Sequence, residues 1–411
     1  MLFHILYKRE KQCYNKDMEK LTFTDGDKIG VFDGQKTTLL ESEYILRYRE
    51  YALERTKNDE WKFGGEGARF RGDYDVYRSR QEKIYAYING VQWEEGKVVY
   101  SFTVNNSSGV YRKDTLDLKA REEHILSSSD EEILSLHKGG NVYAVTIRRS
   151  DVTSSIGTLD SVTSELKTLT DGDSRDANPY ISPLDSSVVY FDSAGVGRTS
   201  DGEFTGKYAP SAICTLNLDS MEIKEVLRDE KWSFVKPKLA QNGDLYCIKR
   251  PTKEKRGGNP LVEMLLIPVR IFQAIVMFVQ FFVIAFTGKS LTSDGDNPTK
   301  GREHNSRKLY VDGNLIEAEK ELKRNKKTKD KEYGFIPASW KLVKLSGGKE
   351  ETVKSGICDF ALCKDGGLYC TNGRHIFYIK DGKTEKVVDT DSCLCVATES
   401  VSGAPSDVFS L

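Results

Sequence analysis

The 411-residue sequence predicts an all-β fold: a six-bladed β-propeller whose termini close one blade, with helical insertions that include one long apolar helix. Three observations lead there. A turn followed by an aliphatic–Tyr pair ending a strand recurs, as GKVVY to Tyr100, GNVY to Tyr143, SSVVY to Tyr190, GDLY to Tyr246 and GGLY to Tyr369. The intervals are 43, 47, 56 and 123 residues; the first three are blade-sized and the fourth is about 75 residues too long. An alternating strand, a polar turn and a second alternating strand form six further copies of one unit. Finally, Asp-Gly pairs at 25–26, 33–34, 365–366 and 381–382 stand where hairpin turns are needed.

In chain order, residues 1–17 form an N-terminal extension, MLFHILYKREKQ at its start being too short an apolar run for a secretory signal. Residues 18–250 hold blades one to four and the first part of blade five. The paired-strand unit reads KIGVFDGQKTTLLES (Lys28–Ser42), GVYRKDTLDLKAREEHILSS (Gly109–Ser128), SSIGTLDSVTSELKTLTDG (Ser154–Gly172) and SAICTLNLDSMEIKEVLRD (Ser211–Asp229). A helical insert at about 42–62 joins blades one and two, with Tyr44, Ile45, Tyr48 and Ala52 at helical spacing. The loop Gly64–Gly72 is a connector, because no strand–Gly-rich–helix order makes it a phosphate loop. Residues 251–337 interrupt blade five. Residues 338–403 then supply SWKLVKLSGGKEETVKSG, RHIFYIKDGKTEKVVDT and a closing strand, CLCVATES (Cys393–Ser400); residues 404–411 are a tail. The closing strand removes the open edge that the ring would otherwise expose.

SRDANPYISPLDSSVVYFDS (Ser174–Ser193) is similar to the Pro-x-x-Ser-Pro-Asp-Gly repeat of TolB-like propellers, found also in the propeller of the dipeptidyl peptidase IV family. Pro179, Ser182, Pro183, Val189 and Tyr190 match, while Leu184 and Asp185 replace the Asp-Gly. The resemblance implies a fold and no activity, since this scaffold hosts adaptors, peptidase gates and lyases alike.

The interruption at 251–337 contains LVEMLLIPVRIFQAIVMFVQFFVIAF, expected as an apolar helix over 261–287. Its polar members Glu263, Arg270, Gln273 and Gln280 fall in one narrow stripe at 100° per residue. Leu261, Leu265, Leu266, Ile267, Val269, Ile271, Phe272, Ile275, Val276, Phe278, Val279, Phe281, Phe282, Ile284 and Phe286 are the expected membrane-associating side chains. A single crossing would place two neighbouring strands of one blade on opposite sides of a bilayer. The run is therefore expected to lie in one leaflet, in plane or re-entering at Pro268. Packing in the core, or pairing with another protein, are the competing readings. Lys253, Lys255, Arg256 and Lys289 flank the run, and a basic helix expected over 315–331 adds Lys323, Arg324, Lys326 and Lys327, all read as anionic-lipid contacts. Residues 251–332 carry a net +5 in a chain of net −1, so positive charge and apolar surface are segregated together. The expected location is the cytoplasmic side of a membrane, monotopic or peripheral.

The residues assign no chemistry. There is no Gly-x-Ser-x-Gly, no P-loop and no dinucleotide fingerprint, and the five histidines have no metal-ligand spacing. The acidic stretches Asp171–Asp176 and Ser293–Asn297 do not complete a calcium loop. Eight irregularly spaced cysteines are read as free, buried thiols, with Cys393 and Cys395 on one face of a strand. No catalytic residue, cofactor or metal is expected, and the balanced charge argues against a nucleic-acid partner. A site at the channel mouth could draw on Arg175, Asp176 and His137, without an assigned role. The expected function is a non-catalytic, membrane-attached scaffold presenting its ring face to a protein or peptide partner; the alternative is a hydrolase or lyase at the channel mouth.

Overall fold

The computed structural model describes residues 19–63, 84–105, 107–117, 120–252, 308–311, 314–327 and 332–399. These build six antiparallel meanders, one separate hairpin and two helices. The first meander contains β1 (Leu21–Asp25), β2 (Lys28–Phe32) and β3 (Thr37–Glu41), and α1 (Glu43–Phe63) follows it. The second is β4 (Ala86–Glu94), β5 (Lys97–Val104), β6 (Ser107–Asp114) and β7 (Glu123–Ser128). The third is β8 (Glu132–Gly139), β9 (Val142–Arg148), β10 (Ser154–Asp160) and β11 (Leu166–Thr168). The fourth is β12 (Ser174–Ile181), β13 (Val188–Arg198), β15 (Ala212–Asn217) and β16 (Ile223–Leu227), with β14 (Phe204–Tyr208) folded back on the far end of β13. A single parallel bridge, Ser154 to Arg175, joins the third and fourth.

The fifth meander starts with β17 (Trp232–Leu239) and β18 (Leu245–Pro251) and resumes with β21 (Lys341–Ser346) and β22 (Lys349–Ser355). Between them stand the hairpin β19 (Lys308–Val311) and β20 (Asn314–Glu317), and α2 (Ala318–Asn325). The sixth is β23 (Asp359–Leu362), β24 (Leu368–Thr371), β25 (His375–Lys380) and β26 (Lys383–Asp389). The last strand, β27 (Val396–Thr398), returns to the first meander, where Leu21, Thr22 and Phe23 of β1 pair with Thr398, Ala397 and Val396.

Six apolar clusters lie at the six joints between meanders, and that closes the ring. Ile29, Val31 and Leu40 of the first meet Val91, Trp93 and Tyr100 of the second. Val99 and Val110 meet Ile133, Val145 and Ile147 of the third. Ala144 and Ile156 meet Ile181, Val189 and Phe191 of the fourth. Ile213 meets Phe234, Cys247 and Val343 of the fifth. Val235 and Ile248 meet Phe360, Cys370 and Phe377 of the sixth. Finally, Ala361, Tyr369 and Ile376 meet Phe23, Phe32 and Val396. This is a β-propeller architecture: each sheet face buries its apolar side chains against the next sheet, and no central core is needed. Burial falls outward along each meander, as the second strand β5 is almost wholly buried while the outermost β16 and β22 are mostly exposed.

The recurring tyrosines sit early in the second strands β5, β9, β13, β18 and β24, so the aliphatic–Tyr pair opens a strand where the sequence reading had it ending one. The preceding turn delivers the chain into that strand, and Tyr100, Tyr143 and Tyr369 are fully buried. Asp381 and Gly382 both take positive φ, 49° and 74°, which a two-residue hairpin between β25 and β26 requires. Cys393 and Cys395 precede β27 and share no strand face, because pairing with β1 begins only at Val396.

α1 begins where Ser42 Oγ accepts from Ile45 N–H and from the Tyr100 hydroxyl. Ile45 is buried and Tyr44 and Tyr48 pack beside it, on the joint between the first two meanders. The basic helix expected over 315–331 is shorter: Leu315–Glu317 belong to β20, and the helix runs from Ala318 to Asn325. Cross-strand pairing of Leu309 with Ile316 draws those residues into a hairpin, and Ile316 is buried against the ring. Neither α1 nor α2 is long and apolar enough to cross a membrane, and among the described residues no other helix occurs. The expected apolar helix 261–287, with all its membrane-associating side chains, and Lys253, Lys255, Arg256 and Lys289 lie outside the described residues, as do Gly64–Gly72 and Ser293–Asn297.

Candidate functional site

The inner strands surround a cavity of about 1460 Å³ that runs through the ring. One mouth is rimmed by Asp27, Tyr87, Asn105, Glu132 and Arg175, the other by Gly140, Pro183, Asn242, Gly366 and Glu399. The insert reaches the first mouth. Strands β18 and β21 lie side by side, with Lys249 paired to Lys341, so the inserted chain leaves and returns at one end of one sheet. Leu309 and Val311 of the hairpin line the cavity there. Val311, Ile316 and Ala318 are buried with Val235, Ile248 and Trp340, and Asn325 Nδ2 donates to the carbonyls of Gly334 and Ile336, both at 2.9 Å. α1 touches the same mouth, with Arg49 bonded to Asp27 at 2.5 Å and Asn105 Nδ2 donating to the Tyr48 hydroxyl.

Bulges shape the wall. Register breaks between Ile88 and Gly90 in β4, Ile133 and Ser135 in β8, Ala177 and Tyr180 in β12, and Val235 and Lys238 in β17. A bulge turns one extra side chain out of the ladder, here into the cavity. Asn89, Leu134, Asn178 and Lys236 are the residues so placed, and all four line it.

Charges in this wall are bonded to one another across strands. Glu132 takes Arg148 at 2.9 Å, Asp192 takes Arg175 at 3.2 Å, and Glu399 takes Lys364 at 3.1 Å. Asp359 takes both Lys236 and Lys238, at 3.6 and 3.5 Å. Asp192 also accepts from Asn178 Nδ2 at 2.7 Å and from the Lys236 backbone N–H at 3.0 Å. Asp176 is buried and accepts from Ser193 Oγ, while Asp173 is clasped by Arg198, so the acidic stretch 171–176 is spent on structure.

His137 lines the cavity, stacks on Tyr180 with ring centroids 4.2 Å apart, and accepts from Ile181 N–H at 3.1 Å. Burial, helped by the nearby Lys238 charge, holds its imidazole well below the ordinary range. It is a neutral acceptor already in use. A serine–histidine contact, Ser127 Oγ to His124 Nε2 at 3.0 Å, is exposed on the outermost strand β7, away from the cavity.

Of the expected sites, Arg175 and His137 line the cavity, whereas Asp176 faces Ser193. Lys323, Arg324, Lys326 and Lys327 are exposed at the end of α2, while Ala318, Glu321 and Asn325 form its buried side. Seven cysteines are described, all free, and burial pushes several thiols up, Cys214 and Cys395 to about 11 and Cys370 to about 12. Among the described residues no group of three or more His, Cys, Asp or Glu could hold a metal ion. Sequence reasoning missed Lys236, Lys238, Asp359, Leu309 and Val311. Local signals existed for three of the five, since Lys236-Pro237 echoes Asn178-Pro179 and Asp312-Gly313 follows the alternating run of Leu309 and Val311; Lys238 and Asp359 had none.

No protein-family profile matches the chain, and no curated protein does. The fold is similar to solved structures at low identity, among them the β-propeller domains of TolB and of puromycin-hydrolyzing peptidases. TolB from Acinetobacter baumannii shares 10% identity at a TM-score of 0.47, over 92% of this chain and 66% of that one. A puromycin-hydrolyzing peptidase of Mycobacterium tuberculosis shares 11% at 0.39, over 76% and 48%. Kuenenia stuttgartiensis hydrazine synthase shares 9% at 0.44, over 93% and 46%. The chain therefore spans about two thirds of the length of that TolB and about half of the other two.

Proposed function

We propose that this chain is a six-bladed, TolB-like propeller that serves as a non-catalytic scaffold, held by its insert at the cytoplasmic side of a membrane and presenting its ring face and cavity to a protein or peptide partner. The observation that carries this reading is the state of the polar groups in the cavity. Its carboxylates are bonded to lysine, arginine or backbone, and its histidine is neutral and already accepting a hydrogen bond. Such a lining is built to hold shape and to meet a ligand's polar groups; general acid–base catalysis needs groups poised to exchange protons. Membrane attachment is supported by the apolar run of the sequence and by the four exposed basic side chains in and just after the last turn of α2. Both ends of the insert emerge on one side of one sheet, which suits attachment in a single leaflet. The anchored mouth would then face the lipid and leave the other mouth for the partner.

The cavity favours a second reading. At about 1460 Å³ it has room for a substrate, and His137, Glu132 and Asp359 stand in its lining, so a hydrolase or lyase at the channel mouth is the alternative.

Liposome flotation tests the attachment. Replacing residues 257–306 by a Gly-Ser linker keeps the hairpin and α2 on the ring, whereas a longer excision to Glu332 would strip Val311, Ile316 and Ala318 from the core. The full chain is expected to float, more on anionic than on neutral vesicles, and the shortened chain to stay folded and unbound. A full chain that ignores both vesicles would overturn the membrane reading.

A further inference from the structure

We infer that Lys236, Lys238 and Asp359 form an oxyanion subsite in the cavity, whose occupant is a side-chain or terminal carboxylate of an acidic peptide; this rests on the proposed reading of the ring as a peptide-binding scaffold.

Two bulges in neighbouring meanders make the case. In β12 an Asn-Pro pair occupies the bulge, in β17 a Lys-Pro pair, and the first residue of each is left-handed, φ 54° at Asn178 and 55° at Lys236. Each sends its backbone N–H to a polar side chain on the second strand of the preceding meander. Asn178 donates to Thr146 Oγ1 at 3.1 Å, and Lys236 to Asp192 Oδ1 at 3.0 Å. The backbone requirement at the two positions is therefore the same. Asparagine meets it easily; lysine meets it at a cost, because its Cβ crowds the carbonyl in that region. What lysine adds is a cation in the cavity.

That cation has company. The Lys238 ammonium lies beside it, and both face Asp359 Oδ1, while Asp359 Oδ2 accepts from Val396 N–H at 2.8 Å. Lys236 Nζ also donates to the Leu394 carbonyl at 3.2 Å, and Lys238 Nζ donates to the Phe360 carbonyl and sits 4.9 Å from the Phe360 ring centre. Elsewhere in the described lining a carboxylate meets at most one cation; here two ammonium groups share one. A partly enclosed wall lowers the local dielectric and strengthens the attraction of an entering anion. Lysine pairs bind carboxylates as point charges, without the fork geometry that arginine brings to phosphate.

The test uses the full chain and two fluorescein-labelled decapeptides, one alternating Glu and Gly and the other alternating Gln and Gly, read by anisotropy at low salt. Inorganic phosphate is the competitor. The Glu peptide is expected to bind about tenfold or more tightly than the Gln peptide, the scale of one charge-assisted contact. Lys238→Met and Lys236→Met should each weaken it several-fold. Asp359→Asn keeps an acceptor for Val396 N–H, adds net positive charge, and should tighten binding. Equal binding of the two peptides, or indifference to Lys238→Met and Asp359→Asn alike, would overturn the subsite. Displaceable phosphate binding that depends on Lys238, with neither peptide bound, would keep the oxyanion site and remove the peptide reading beneath it. Absence of binding by every probe, in a chain whose circular dichroism is native, would overturn both.

Discussion

Two of the six meanders are discontinuous in sequence, and they are discontinuous in different ways. The first takes its innermost strand, β27, from the far end of the chain. The fifth is split between β18 and β21 by residues 252–340 and is nevertheless one continuous ladder. The comparison shows that a sheet is set by pairing and side-chain burial, and that chain order matters only through the entropy of closing the intervening loop, which grows slowly with length. It also separates two kinds of interruption. β27 is indispensable to the joint that it fills. The insert is partly cargo, but its hairpin and α2 are built into the joint between the fifth and sixth meanders.

The largest blow to this comparison is expected from Val396→Asp. It places an unpaired charge in the joint that closes the ring, at a cost of about 3–5 kcal/mol; urea unfolding should show a large loss or no cooperative transition. Ile316→Ala asks whether the insert is structural. Its side chain is buried against the ring, so a loss of about 2–4 kcal/mol is expected, and a change near zero would make the hairpin an ornament.

A smaller effect concerns pH. His137 is kept neutral in the folded ring, so the unfolded chain binds more protons below its ordinary pKa of about 6.5. Stability from this source is full above that value and falls as pH falls towards the depressed folded value. The slope should stay under the ~1.4 kcal/mol per pH unit that one proton allows, and His137→Asn should flatten that part of the profile. Smallest per residue, reversing Lys323, Arg324, Lys326 and Lys327 to Glu should change stability by no more than about 0.5 kcal/mol at each site, because all four are exposed. The same variant should lose its preference for anionic vesicles in flotation.

Much of the ring is legible in the sequence because its signals are local. An Asp-Gly turn, an alternating strand and an aliphatic–Tyr pair each fit within about ten residues, and each reports on a single hairpin. Closure by β27 could be anticipated because the first meander lacks an inner strand near the N-terminus. The cavity was not legible. Lys238 and Asp359 meet across two meanders, and Asp192 gathers Arg175, Asn178 and Lys236 from two different inner strands. No spacing rule joins residues that come together only when a ring closes. The expected helix over 315–331 failed for a related reason: helix formers such as Glu317 sit in β20, whose place is set by pairing with β19 and by burial of Ile316.

The return of β27 has a consequence in time. During synthesis β1 emerges early, yet its partner strand follows more than 370 residues later. At about 5–20 residues per second, that is a wait of roughly 20–75 s. For all of it the first meander shows an unpaired β-edge to the cell, the kind of surface to which nascent-chain chaperones attach and along which polysomal neighbours exchange strands. The ring's last joint is therefore also its checkpoint: a ribosome that stalls between Asp389 and Val396 releases a chain with six sheets, five joints and an open edge.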